Sequence, residues 1–144
     1  MKRSLAVAAA IVLPASAASA SSPAPSVVPV AFPGAEGAGR LSAGGRGGAV
    51  LKVTTLADDG PGSLRAAIDA RGPRTILFDV SGTVFLQSDL VIREPRATIA
   101  GQSSPGGGVT IANHGLVIRA DDVVVRFIRA RRGDRGGEGD SIWV

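Results

Sequence analysis

Residues 90–126 read LVIREPRATIAGQSSPGGGVTIANHGLVIRADDVVVR, and this stretch decides the fold. Its apolar runs are short and β-branched, and Pro, Gly, Asn or Asp separates them. That is the composition of brief strands joined by tight corners. Val91-Ile92-Arg93 is echoed by Val117-Ile118-Arg119, and Thr98-Ile99-Ala100 by Thr110-Ile111-Ala112. A β-sandwich predicts longer strands with clean in-and-out alternation. A parallel β-helix predicts very short strands, abrupt corners and similar fragments at coil spacing. The echoes favour the β-helix. Just beyond, Arg126 and Arg129 are three apart and cannot share one face of a straight strand. A bend near Ile128 costs less than burying an unpaired guanidinium, and such bends belong to a solenoid.

The same pattern extends outward. Strands are expected over Ala49 to Leu56, Thr75 to Val80, Thr83 to Leu86, Leu90 to Arg93, Thr98 to Ala100, Val109 to Ile111, Leu116 to Arg119, Val123 to Arg129 and Ser141 to Val144. One helix interrupts them: Ser63 can cap a turn running to Ala70, with Leu64, Ala67 and Ile68 on one face and Gly72-Pro73 as the stop. No second helical pattern appears, which disfavours a doubly wound α/β sheet. Asp58-Asp59-Gly60-Pro61-Gly62 reads as a solvated turn without EF-hand spacing. The seven glycines between Gly34 and Gly48 read as an irregular surface loop. They lack the spacing of a phosphate loop or a dinucleotide fingerprint.

Composition narrows the classes. The 144 residues are 44% hydrophobic and 19% charged, which excludes a disordered chain. There is no Cys, so disulfide scaffolds, zinc-thiolate sites and thiol nucleophiles are excluded. The net charge of +4 includes Lys2 and Arg3 at the N-terminus; without them 14 basic residues face 12 acidic ones. With aromatics at only 3%, stacking on bases has little support, and nucleic acid is not an expected partner.

The N-terminus reads as a secretory address. Met1-Lys2-Arg3 is a basic n-region, Leu5 to Leu13 an apolar run, and Ala15-Ser16-Ala17 and Ala18-Ser19-Ala20 are small-x-small cleavage sites. The run is shorter than the roughly 20 residues that span a bilayer. The expected organisation is a signal peptide at 1–20, an extended Pro-rich leader at 21–30 and one domain at 31–144. Secretion is expected, with no membrane span after the signal is removed.

Five blocks carry a family resemblance. Ala31-Phe32-Pro33-Gly34-Ala35-Glu36-Gly37, Gly44-Gly45-Arg46-Gly47-Gly48, Asp59-Gly60-Pro61-Gly62-Ser63-Leu64-Arg65-Ala66-Ala67, Arg74-Thr75-Ile76-Leu77-Phe78-Asp79-Val80-Ser81-Gly82-Thr83 and Thr98-Ile99-Ala100-Gly101-Gln102-Ser103-Ser104-Pro105-Gly106 resemble, in order and spacing, the N-terminal part of secreted pectate lyases. The resemblance implies an all-β fold, a right-handed parallel β-helix with one short N-terminal helix covering the open end of the coil. It implies calcium-dependent β-elimination on polygalacturonate by a protein that is monomeric when full length. In that chemistry a proton leaves C5 of a uronate, the glycosidic oxygen leaves C4, and an Arg acts as base.

The segment Arg132-Gly133-Asp134-Arg135-Gly136-Gly137-Glu138-Gly139-Asp140 resembles the one that carries the family's first calcium carboxylates, which makes Glu138 and Asp140 the candidate Ca2+ ligands. Two residues apart in extended chain, both would point the same way, and calcium takes several hard oxygen ligands. Arg129, Arg131, Arg132 and Arg135 form a basic cluster suited to uronate carboxylates. His114, the sole histidine, has no matched nucleophile and acid and is given no catalytic role. The family's catalytic Arg is expected beyond Val144, and the apolar ending Ser141-Ile142-Trp143-Val144 reads as a truncated C-terminal end, so this portion is expected to be inactive alone. Two other functions fit the same fold: a β-helix that binds polysaccharide without cleaving it, and a calcium-independent pectin lyase-like enzyme.

Overall fold

The computed structural model describes residues 28–134 and 139–144. The expected signal peptide at 1–20 and most of the expected leader at 21–30 lie outside these residues. Ten strands and one α-helix follow in chain order: β1 Ala49–Val53, α1 Leu64–Asp69, β2 Arg74–Phe78, β3 Gly82–Phe85, β4 Leu90–Ile92, β5 Ala97–Ala100, β6 Val109–Ala112, β7 Leu116–Ile118, β8 Val123–Arg126, β9 Ile128–Arg131 and β10 Ile142–Trp143. They make three sheets with orders β1-β2-β5-β8, β3-β6-β9 and β10-β7-β4. Every pairing is parallel. The chain visits the three sheets in rotation, so β2-β3-β4, β5-β6-β7 and β8-β9-β10 are successive coils of a parallel β-helix.

Register stacks like on like. Ile76 and Ile99 pair across β2 and β5, Val84 and Ile111 across β3 and β6, and Leu90 and Leu116 across β4 and β7. All six are buried. Period-two alternation sends these residues inward and their neighbours outward, and each coil covers the apolar row of the last.

α1 covers the first coil. The Ser63 hydroxyl accepts from the Ala66 amide at 3.1 Å, and Leu64, Ala67 and Ile68 are buried. A helix this short leaves most of its terminal carbonyls orphaned, and Arg74 satisfies two of them. Its fully buried guanidinium donates to the carbonyls of Ala67 and Ile68, and also to those of Gly72, Pro95 and Glu94. Burial lowers the Arg74 pKa, against the opposing pull of Glu94 and Asp69.

Four expectations change in detail. The run from Val123 to Arg129 is two strands, β8 and β9, and the bend falls at Phe127, whose φ of 56° is left-handed. Thr98-Ile99-Ala100 and Thr110-Ile111-Ala112 do not stack: the first lies in β5, the second in β6 of a different sheet. The glycine-rich segment is not a free loop. Gly44 and Gly45 are buried, and the Gly45 amide donates to Thr98 Oγ1 at 2.9 Å. Asp58 is not solvated either: it pairs with Arg65 at 2.7 Å, with side chains only 10% and 16% exposed. Its second oxygen accepts from the Gln87 amide, which ties the turn before α1 to the end of β3.

Candidate functional site

The outer face of β3-β6-β9 gathers the groups that could hold a polyanion. Register makes two outward columns: Thr83, Thr110 and Arg129 in one, Phe85, Ala112 and Arg131 in the other. The inward rows between them are Val84, Ile111 and Ala130. Arg129 and Arg131 are both exposed, because they occupy alternate positions of one strand.

The two differ in freedom. Arg129 lies back over the preceding coil, where Nε donates to Thr110 Oγ1 at 2.9 Å and Nη2 donates to the Gly107 carbonyl. The Arg131 side chain makes no hydrogen bond or ion pair among the described residues, so its fork can take a carboxylate from solution.

Arg132 leaves this face. Its side chain is only 11% exposed and lies 3.5 Å from Asp89 Oδ1. Its guanidinium packs 4.9 Å from the centroid of the Trp143 ring, and Nη1 donates to the Asp140 carbonyl at 3.4 Å. Arg132 is thereby bonded to the backbone at Asp140. Arg135 and Glu138 lie outside the described residues.

Asp140 is exposed, and its carboxylate engages no partner among the described residues. That leaves a hard-oxygen donor able to meet a cation, although among those residues no group of three or more His, Asp or Glu side chains converges. Asp140 alone is a fraction of a calcium shell.

Asp89 was not singled out in the sequence, and it links most of this corner. Its Oδ1 accepts from the Gly115 amide at 2.9 Å, stands 3.8 Å from His114 Nδ1, and faces Arg132. Its carbonyl accepts from Arg65. Asp89 and Arg132 are far apart in the chain and meet only because the coils stack. His114 is half-buried here, with no nucleophile beside it. Arg74, with its lowered pKa, would be a natural place to look for a base, but its donors are spent on carbonyls and it has no path to solvent.

No protein-family model matches the chain. Curated relatives do. The chain is 47% identical over 110 residues to a protein of Emericella nidulans named probable pectate lyase C, covering 76% of this chain and 25% of that one. It is 47% identical over 111 residues to the protein of that name in Aspergillus fumigatus. A third, from Aspergillus terreus, is 45% identical over 117 residues, 80% of this chain and 27% of the relative. The chain thus spans about a quarter of the length of the curated relatives it matches.

Proposed function

We propose, for a chain related to the pectate lyases over about three quarters of its length, that it presents the polyuronate-binding face of a secreted pectate lyase. The observation that carries this reading is the pair of exposed guanidiniums on one sheet face, Arg129 and Arg131. In a polyuronate each sugar carries one carboxylate, so the ligand is a regular anionic ladder. Arg131 takes a carboxylate through a bidentate contact, while Arg129, already fixed by Thr110 and Gly107, lends directed charge with little ordering cost.

The reaction of such an enzyme is β-elimination. The C5–H bond breaks, its electron pair forms the C4=C5 double bond, and the C4–O bond breaks with the oxygen leaving to be protonated. The C5 proton is weakly acidic while the adjacent carboxylate is anionic, and bound calcium supplies the charge that offsets this. Asp140 and Glu138 are the residues that would hold it. The role of Arg132 is then positioning: held by Asp89 and Trp143, it fixes the backbone from which Asp140 projects. The base is not assigned to any described Arg: Arg74 is wholly buried with its donors spent on carbonyls, and Arg129 and Arg131 are read as carboxylate contacts.

Binding and turnover separate in the test. The 144-residue chain is expected to be retarded in gels containing polygalacturonate, with Arg131→Ala abolishing most of the retardation, and to release no unsaturated uronate when calcium is added. No retardation of the wild-type chain would sink the reading. Calcium-dependent product would move the base to Arg129 or Arg131. For the metal, terbium serves as the probe, because the only tryptophan, Trp143, packs against Gly139 beside Asp140 and can sensitise its luminescence. Weak binding in the millimolar range of loose extracellular sites is expected, lowered by Glu138→Ala and more by Asp140→Ala. Export is tested by N-terminal sequencing of secreted material, which should begin after Ala17 or Ala20.

A further inference from the structure

The arginines occupy one end of the outer face; the other end carries an aromatic ring. Phe85 is 62% exposed although it closes a strand whose neighbour Val84 is wholly buried. A lone exposed apolar side chain on a protein surface is ordinary. Phe85 is distinguished by its register. It pairs with Ala112, which pairs with Arg131. The three therefore form one outward column across three coils, with Phe85 and Arg131 at its ends and the smallest of the three side chains between them. Strands stack at about 4.8 Å, so the two ends stand roughly 9–10 Å apart along the column. The parallel column offers hydroxyls at the matching positions, Thr83 beside Phe85 and Thr110 on the middle rung.

We propose that Phe85 is a sugar-stacking platform: it takes the apolar C–H face of one uronate ring, while Arg131 takes the carboxylate of a different unit of the same polymer. This rests on the reading of Arg129 and Arg131 as a polyuronate face, and it adds a contact of another chemical kind. A guanidinium recognises any carboxylate, whereas a bare aromatic face recognises a ring with axial C–H groups and is indifferent to charge. Phe85 thus supplies what the arginines cannot, discrimination between a polymer of sugars and any other polyanion. Ala112 keeps the path between the ends low, so that a chain can lie across the rungs without lifting off either end. The Thr83 hydroxyl, next to the ring, is placed to bond the equatorial hydroxyls of a stacked sugar.

The test compares two polyanions, polygalacturonate and polyacrylate, by affinity electrophoresis of the 144-residue chain. Phe85→Ala is expected to weaken binding to polygalacturonate about three- to tenfold, the scale of one aromatic contact, and to leave polyacrylate binding unchanged. Phe85→Leu should lose as much, because it keeps an apolar side chain without the ring, and Phe85→Trp should retain or strengthen binding. Arg131→Ala should weaken both polymers. Since Phe85 is exposed, these variants should melt with the wild type, and that measurement accompanies the gels. Equal binding by wild type and Phe85→Ala overturns the inference while the arginine reading stands. So does a Phe85→Ala loss that is the same for both polymers. If the wild type binds neither polymer, the arginine reading fails and this one fails with it.

Discussion

Thr98-Ile99-Ala100 in β5 and Thr110-Ile111-Ala112 in β6 are the same three residues, and they support two faces of opposite kind. Over the first, the segment before β1 lies flat against the sheet. The Ala43 amide donates to Asp122, the Gly45 amide to Thr98, and Arg46 ties the segment to itself through the carbonyls of Ala43, Ser42, Pro29 and Val30. Over the second, nothing among the described residues closes the face, and Phe85, Arg129 and Arg131 stand exposed. Identical triplets do not fix what becomes of a face. Glycine does so on one side, because it lets a backbone approach within contact distance of another. Bulky and charged side chains do so on the other, because they hold backbone off.

The sharpest way to break this contrast is to give the covered face a methyl group. A Cβ on Gly45 would stand 1.9 Å from the Arg74 carbonyl oxygen, and that partner is backbone, which cannot swing aside. Gly45→Ala is expected to cost about 3 kcal/mol or more, seen as a melting temperature lower by roughly ten degrees. The matched change in the loop beside the open face is Gly107→Ala, where a Cβ meets nothing within 4 Å. It should fall within about 0.5 kcal/mol of wild type. Similar losses in the two variants would mean that the segment before β1 does not rest on the sheet.

The next contrast uses two arginines. Arg46→Ala removes four hydrogen bonds to carbonyls from an exposed position. It should lower stability by about 1–2 kcal/mol and leave binding of polygalacturonate unchanged. Arg131→Ala should do the reverse, with stability within about 0.5 kcal/mol of wild type and binding roughly tenfold weaker, the cost of one good charged contact. Residual binding of the Arg131 variant should also be less sensitive to salt, since screening acts on the charge that was removed. A chain in which Arg46→Ala abolishes binding would place the ligand on the covered face.

Much of this was legible from residues close in the chain. The strands announced themselves by β-branched runs between turn residues, the helix by Ser63 and the Leu64, Ala67, Ile68 face, and the stacking of β4 on β7 by the repeated Val-Ile-Arg. What could not be read depends on how far coils bring distant residues together. The second pair of echoes misled because a Thr-Ile-Ala strand carries no mark of which sheet it belongs to; the length of the turn before it decides that. Phe127 hid a corner because an aromatic residue in left-handed conformation is uncommon, although the odd spacing of Arg126 and Arg129 did signal a bend nearby. Asp58 reads as a turn residue, yet it folds back onto Arg65 seven residues on; Asp89 carries no mark in the sequence, and it meets Arg132 only where the coils stack. Of the four arginines grouped by sequence, Arg129 and Arg131 share a face, Arg132 turns toward Asp89 and Trp143, and Arg135 lies outside the described residues.

The smallest expected effect comes from the twin threonines themselves, and it bears most directly on why the faces differ. Thr98→Val removes the acceptor of the buried Gly45 amide. An amide pressed against the sheet has no water to replace that acceptor, so the loss should be about 1–2 kcal/mol, the cost of an unsatisfied buried donor. Thr110→Val also removes an acceptor, that of Arg129 Nε. There the donor is exposed, water takes the vacated place, and Arg129 keeps its bond to the Gly107 carbonyl. The expected change in stability is below about 0.5 kcal/mol, and the change in polygalacturonate binding less than about twofold. Both substitutions keep a β-branched side chain of nearly the same shape in a strand, so propensity and packing cancel between them, and the difference in melting temperature isolates coverage. Equal shifts in the two variants would show that water reaches Gly45 as freely as it reaches Arg129, and the distinction between a closed and an open face would go with it.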